Sequence, residues 1–157
     1  MTEEEKELLF RDLCGRFEHF VQVHIDIDYQ IDHEFYSECH TVPCDAYILE
    51  VNFDEKTLHI ILDDENEDKN NYFQEEFDTN WVDFYAVKPY LRHMDSMTKE
   101  EIEDYHNLCT KQWNVHIDDY WYYDTVESID WLNSNHFDHR GLIPKGLALP
   151  AKEGMYK

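Results

Sequence analysis

Residues 20–31 carry the strongest periodic signal in the chain. Val21, Val23, Ile25, Ile27, Tyr29 and Ile31 alternate with Gln22, His24, Asp26, Asp28 and Gln30. A period of two belongs to a strand with one buried and one wet face, and hence to an antiparallel sheet covered on one side. Tyr47, Leu49, Val51 and Phe53 repeat the pattern. Asp54-Glu55-Lys56 reads as a turn and Leu58, Ile60 and Leu62 continue beyond it, which predicts a hairpin over residues 46–62. A fourth strand is expected at Trp81–Val87, ended by Pro89.

The rest of the chain shows helical spacing. Thr2 with Glu5 reads as a capping box, and Leu8, Leu9, Leu13 and Phe17 follow at helical intervals, predicting a helix over 3–14 that stops at Gly15. Thr98 with Glu101 is a second box, leading into Ile102, Tyr105, Leu108 and Cys109 and a helix to about Gln112. Residues 115–123 read as a short strand. Asp124 with Glu127 caps a third helix through Val126, Ile129 and Leu132 to Asn135. Asp63–Asn80 is a long acidic loop with a helical turn at Tyr72–Phe77, and residues 141–157 form an extended tail. Together these predict one α+β domain over 1–157: an antiparallel sheet of four or more strands within 20–87, packed against two or three helices, with a helical C-terminal part at 98–136.

Composition supports a packed fold. Of 157 residues, 42% are hydrophobic and 15% aromatic, whereas disordered acidic chains are poor in aromatics. Charge changes the picture more. There are 36 Asp and Glu against 13 Lys and Arg, a formal net charge of -23. Such a balance argues against direct binding to nucleic acid or to an anionic membrane surface, and for basic partners. The acidic start Met1-Thr-Glu-Glu-Glu is unlike a secretory leader, and no apolar run approaches the ~20 residues of a membrane span. A cytoplasmic protein with reduced Cys14, Cys39, Cys44 and Cys109 is expected, and nothing implies a cofactor.

The charge is concentrated. No Lys or Arg lies between Arg16 and Lys56, while residues 17–55 hold ten Asp and Glu; residues 63–78 add eight acidic groups and one Lys. A dense carboxylate surface imitates duplex phosphates and can occupy a basic channel, in a contact weakened by salt because the Debye length is ~8 Å under physiological conditions. The residues expected to supply that field are Asp26, Asp28, Asp32, Glu34 and Glu38, then Asp63, Asp64, Glu65, Glu67, Asp68, Glu75, Glu76 and Asp78. Trp121, within Tyr120-Trp-Tyr-Tyr123, is a candidate anchor of the kind enriched at protein interfaces, although such a run suits a core strand equally.

Two other chemistries compete. His24, Asp26 and Asp28 stand at alternate strand positions ~6.8 Å apart, so a single ion there would need a ligand from a neighbouring strand. His33, Cys39, His40 and Cys44 form a looser set, with Cys39 and Cys44 spaced within the range of paired zinc ligands but no second cysteine pair following. The segment Asp130–Arg140 groups Asn133, His136, Asp138 and His139, where a histidine beside a carboxylate could move protons. No nucleophile elbow, phosphate loop or His-Glu-x-x-His accompanies it. The alternative is a structural corner: helix, Gly141 turn, and Arg140 paired with a carboxylate.

Three stretches are distinctive as text: Lys88-Pro-Tyr-Leu-Arg-His-Met-Asp-Ser-Met-Thr-Lys-Glu-Glu, Ile129-Asp-Trp-Leu-Asn-Ser-Asn-His-Phe-Asp-His-Arg-Gly-Leu-Ile-Pro-Lys-Gly-Leu-Ala-Leu, and Lys6-Glu-Leu-Leu-Phe-Arg-Asp-Leu-Cys-Gly-Arg. They resemble a family of small uncharacterised proteins from gut bacterial genomes and their phages and mobile elements, over about a third of the chain. The resemblance implies no activity, substrate or cofactor; its phage-like setting favours a protein that interferes with a host system. The sequence reading is therefore an acidic interaction protein rather than an enzyme. In its most concrete form it is an inhibitor or nucleic-acid mimic that occupies a basic, nucleic-acid-binding surface of a partner. The alternatives are a metal-binding protein using residues 24–44 and an uncharacterised enzyme around His136 and His139.

Overall fold

A computed structural model describes residues 1–32, 37–63, 81–113 and 120–156. The fold is α+β. Its helices are α1 (Glu3–Arg16), α2 (Lys99–Leu108) and α3 (Val126–Ser134). Its strands are β1 (Gln22–Asp32), β2 (Ser37–Asn52), β3 (Thr57–Leu62), β4 (Trp81–Asp83), β5 (Val87–Leu91), β6 (Thr110–Trp113), β7 (Tyr120–Tyr123) and β8 (Leu149–Pro150). Six strands form one sheet in the order β4-β3-β2-β1-β5-β8, antiparallel except at β5–β8; β6 and β7 form a separate antiparallel ribbon. No helix among the described residues is long and apolar enough to cross a membrane.

The period-two signal sets the buried face. Val21, Val23 and Ile25 lie inward with Cys44, Ala46 and Ile48, then Leu58, Ile60 and Leu62, then Val87 and Leu91. Leu9 and Leu13 of α1 close over this face, joined by Leu142 and Leu147 from the tail. A fully buried leucine contributes roughly 1.5–3 kcal/mol, so α1 is held by this stripe more than by its own propensity.

Several boundaries depart from expectation, each for a local reason. β2 starts at Ser37 rather than near 46, and Pro43 lies within it: Pro43 pairs with Asp26, while the β3 pairing begins only at Ala46. The edge of β2 beside Pro43 thus needs no N–H donor among the described strands, and proline is tolerated there. The expected face Tyr47, Leu49, Val51 and Phe53 is broken by a bulge between Ile48 and Glu50. Leu49 has no cross-strand partner and is exposed, Ala46 and Ile48 point inward, and Phe53 is exposed.

Trp81–Val87 is two strands separated by a 3-10 turn at Phe84–Ala86, and Pro89 lies inside β5 opposite Val23. Pairing with β8 begins one residue later, at Tyr90, which leaves proline's missing donor unrequired. The second helix stops at Leu108 because Cys109 turns extended and buried. α3 is capped by Thr125 with Ser128 rather than by Asp124 with Glu127. The reading of 115–123 as one strand meets β7 at Tyr120–Tyr123, and residues 114–119 lie outside the described residues.

α1 runs through Gly15 to Arg16. A Cβ on Gly15 would stand 3.0 Å from Asn133 Nδ2, so the glycine admits the end of α3 against α1 instead of ending the helix.

Candidate functional site

β1 and β2 outrun their neighbours. β5 pairs with β1 only at Val23–Ile25, and β3 pairs with β2 only from Ala46 onward. Residues 26–32 and 37–43 pair with each other in unbroken register, Asp26 with Pro43 through Asp32 with Ser37, and with no other described strand. Seven pairs at ~3.3 Å rise give a two-stranded ribbon about 23 Å long. Its sequence contains no Lys or Arg. Asp26 and Glu38 are exposed; Ile27 and Val42, at its root, pack against the core. Asp28 and Asp32 belong to β1 in register with Asp26, and Glu34 and His33 lie outside the described residues.

The second acidic set is placed only at its start. Asp63 follows β3 half-buried: its carboxylate accepts from Gln22 Nε2 at 2.8 Å and its N–H donates to the Asp45 carbonyl at 3.0 Å. Asp64, Glu65, Glu67, Asp68, Glu75, Glu76 and Asp78 lie outside the described residues. Trp121 sits on β7 opposite Gln112.

The metal reading gains little. Cys39 and Cys44 lie five positions apart on one strand and therefore on opposite faces, one exposed and one buried. His40 Nε2 is 3.4 Å from the Glu38 carboxylate. Among the described residues no three His, Cys, Asp or Glu converge as a metal site. His24 instead joins a polar network on the outer sheet face. Its Nδ1 lies 3.6 Å from Asp45 and 3.4 Å from the Tyr90 hydroxyl, and its Nε2 is 3.4 Å from Asp26. Tyr90 donates to Asp45 at 2.8 Å and Lys152 pairs with the same carboxylate. Burial pushes the Asp45 carboxyl up, but the bonds from Lys152, Tyr90 and His24 outweigh it and leave the group below its ordinary value. Burial and Asp45 push the Tyr90 phenol the other way.

The segment 130–140 is a corner built on buried ions. Asp12 and Arg16, one turn apart on α1, are both fully buried and joined twice, at 2.7 and 3.0 Å. Arg16 also donates to the Phe137 carbonyl at 2.7 Å, and Arg140 Nε reaches Asp12 at 3.3 Å, which supplies the carboxylate expected for Arg140. His139 Nε2 and Asn133 Oδ1 are 2.9 Å apart, and the Asp138 carboxylate accepts the N–H groups of Leu142 and Ile143 at 2.7 and 2.9 Å. Gly141 turns the chain at φ 69°.

Burial first, then Arg16 and Arg140, hold His139 at a pKa of about 4. His136 is likewise held at about 4, by burial and then by Arg16, His19 and Arg92. Both imidazoles are neutral near pH 7. Among the described residues neither ring is hydrogen-bonded to a carboxylate, and His139 is engaged by Asn133. Comparison with family models, with curated proteins and with solved structures finds no match to this chain.

Proposed function

We propose that the chain is an acidic interaction protein whose β1–β2 ribbon enters a basic, nucleic-acid-binding groove of a partner protein. One observation carries this reading: among the described residues the longest strand pair continues beyond the pairing of its neighbours as a ribbon with carboxylates and no Lys or Arg. An isolated two-stranded ribbon is marginal in water, and the acidic positions 26 and 28, ~6.8 Å apart along β1, lie within one Debye length and repel. A stretch that carries both costs gains most where cations surround it. Its acidic positions on β1, three over ~20 Å, are about a third as dense as phosphates, which recur every ~3.4 Å along a nucleic-acid strand. Association driven by such a field is fast at low salt and weakens steeply as salt rises.

The test compares two variants with four neutralised carboxylates each. One carries Asp26→Asn, Asp28→Asn, Asp32→Asn and Glu38→Gln in the ribbon. The other carries Glu3→Gln, Glu4→Gln, Glu50→Gln and Glu55→Gln elsewhere. Proteins captured from lysate at low salt are challenged with soluble duplex DNA. The expected result is one partner displaced by DNA, retained by the second variant and lost by the first. Equal retention by both variants, or capture that DNA does not disturb, overturns the ribbon as a mimic.

A further inference from the structure

Two prolines in the sheet fix which way the backbone of β1 faces. Neighbouring residues of a strand send their N–H and C=O groups to opposite edges, and opposed residues of an antiparallel pair exchange both hydrogen bonds or neither. Pro89 stands opposite Val23, and Pro43 opposite Asp26. Proline has no N–H, so both positions suit the pair that exchanges none. The two give one parity. Val23 turns its backbone groups away from β5, toward β2. Asp26 turns its groups away from β2, toward the side where β5 runs beside Val23, His24 and Ile25. By alternation Asp28, Gln30 and Asp32 face the same side as Asp26.

No described strand stands on that side beyond Ile25. The pairing with β5 ends at Ile25 and Val87, and before Val87 the chain is the 3-10 turn Phe84–Ala86. The outward N–H and C=O groups of residues 26, 28, 30 and 32 thus form a row about 20 Å long with no partner strand among the described residues.

Elsewhere the sheet ends in short or proline-bearing strands. β4 has three residues, β8 has two including Pro150, and the free side of β2 holds Pro43. Sheets are blunted in this way because an open row of backbone groups is a template for another chain; lysine and bulges serve the same end. From Asp26 to Asp32 β1 has none of these devices: it reads Asp-Ile-Asp-Tyr-Gln-Ile-Asp, and its register with β2 is unbroken. The residues whose backbone faces the open side are the acidic ones, Asp26, Asp28 and Asp32 with Gln30 among them, all at positions of one face of the strand. Asp26 is exposed.

That coincidence selects the occupant. Residues of an added antiparallel strand directly opposite Asp26, Asp28 and Asp32 share their face at ~4.5–5.5 Å between Cβ atoms, where opposite charges stabilise and like charges destabilise. A second copy of this edge would set aspartate against aspartate, in a chain of net charge -23. An extended segment with Lys or Arg at alternate positions meets the backbone row and the carboxylates together.

We propose that the open edge of β1 over residues 26–32 binds an extended cationic segment of a partner protein as an added antiparallel strand, along the line that β5 begins. Backbone hydrogen bonds supply the affinity, and alternating charge the selection. The inference rests on the reading of the ribbon as a contact for a basic partner and names the element of that partner it takes.

The test titrates the full chain at low salt, by calorimetry, with capped ten-residue peptides: alternating Lys-Thr, the same peptide N-methylated on its lysines, the same N-methylated on its threonines, and alternating Glu-Thr. Amide exchange at residues 26–32 is followed by NMR. Methylated lysines keep their charge and lose the donors that face β1; methylated threonines lose only donors that face away. The expected result is saturable binding of the Lys-Thr peptide, with exchange at 26, 28, 30 and 32 slowed at least about tenfold. Methylation should weaken binding at least about tenfold on lysine and under about threefold on threonine, and the Glu-Thr peptide should not bind. Gln30→Pro, which removes one outward donor as Pro43 does on β2, should weaken the Lys-Thr peptide by about tenfold. Equal binding of the two methylated peptides with unslowed exchange overturns strand addition and leaves the ribbon as a charged contact. Slow exchange at 26, 28, 30 and 32 before any peptide is added overturns the open edge. No saturable binding of the Lys-Thr peptide at millimolar concentration overturns the site, while loss of the DNA-displaced partner by the ribbon variant decides the reading of the ribbon separately.

Discussion

The ribbon and the corner handle charge in opposite ways. In the corner, Asp12, Arg16 and Arg140 are packed with little or no exposure of Asp12 and Arg16 and are neutralised by one another and by backbone carbonyls. In the ribbon, Asp26 and Glu38 are exposed, and their ion-pair contacts among the described residues are with His24 and His40 at 3.4 Å. Buried ions pay desolvation and recover it only through geometry, so they fix one arrangement of α1 against α3 and the tail. Exposed carboxylates pay no desolvation, hold nothing in place and project a field. The chain thus separates charge used for structure from charge available for recognition.

The sharpest way to break this contrast is to remove one buried ion. Asp12→Ala leaves Arg16 and Arg140 without their shared carboxylate, and loss of one partner of a buried pair typically costs about 3–5 kcal/mol. Urea denaturation should place this variant far below the native chain in midpoint. A cost under about 1 kcal/mol would mean that the corner relaxes around the missing ion, and that the pair is not what fixes it.

A second effect, smaller, comes from the two buried histidines. Both bind their proton at about 4 when folded against 6.5 ordinarily, so between those values the unfolded chain holds more protons than the folded one. Stability therefore rises with pH across that window and levels off above 6.5. The slope approaches about 1.4 kcal/mol per pH unit for each histidine. Asp45, whose carboxyl is depressed, adds stability that is present above its unfolded value and lost as pH falls through its folded one. The window thus separates the contributions: the histidines act from 6.5 down to about 4, and the carboxylate acts lower. Unfolding midpoints at pH 5 and 7 for His139→Gln against the native chain check the sign, since the substitution should shrink the difference.

The periodic parts of this fold were legible. Alternation at Val21, Val23 and Ile25 named a buried face, and the capping boxes at Thr2 and Thr98 located two helix starts to the residue. What escaped reading depends on contacts between distant segments. Asp12 and Arg16 look like an ordinary surface pair one helical turn apart, and only the arrival of residues 133–140 buries them. The length of β2 was hidden by Pro43 and by a bulge that swaps faces at Leu49. For the sites, sequence marked Asp26 and Glu38 as acidic and His136 as a candidate for proton transfer, but nothing local announces a ribbon, which among the described residues continues past the pairing of β3 and β5.

The smallest expected effect on folding is the most informative about the contrast. Neutralising Asp26, Asp28, Asp32 and Glu38 together removes like charges that face no cation of a Lys or Arg within the ribbon. Surface substitutions of this kind usually stay within about 0.5 kcal/mol, and relief of repulsion pushes the sign toward stabilisation, most visibly at low salt. Urea midpoints measured at low and at physiological ionic strength should therefore converge for the variant and differ for the native chain. If the ribbon carboxylates were instead structural, their loss would destabilise the fold at both salt concentrations. The division between charge that holds the corner and charge that projects from the ribbon would then fail at its simplest point.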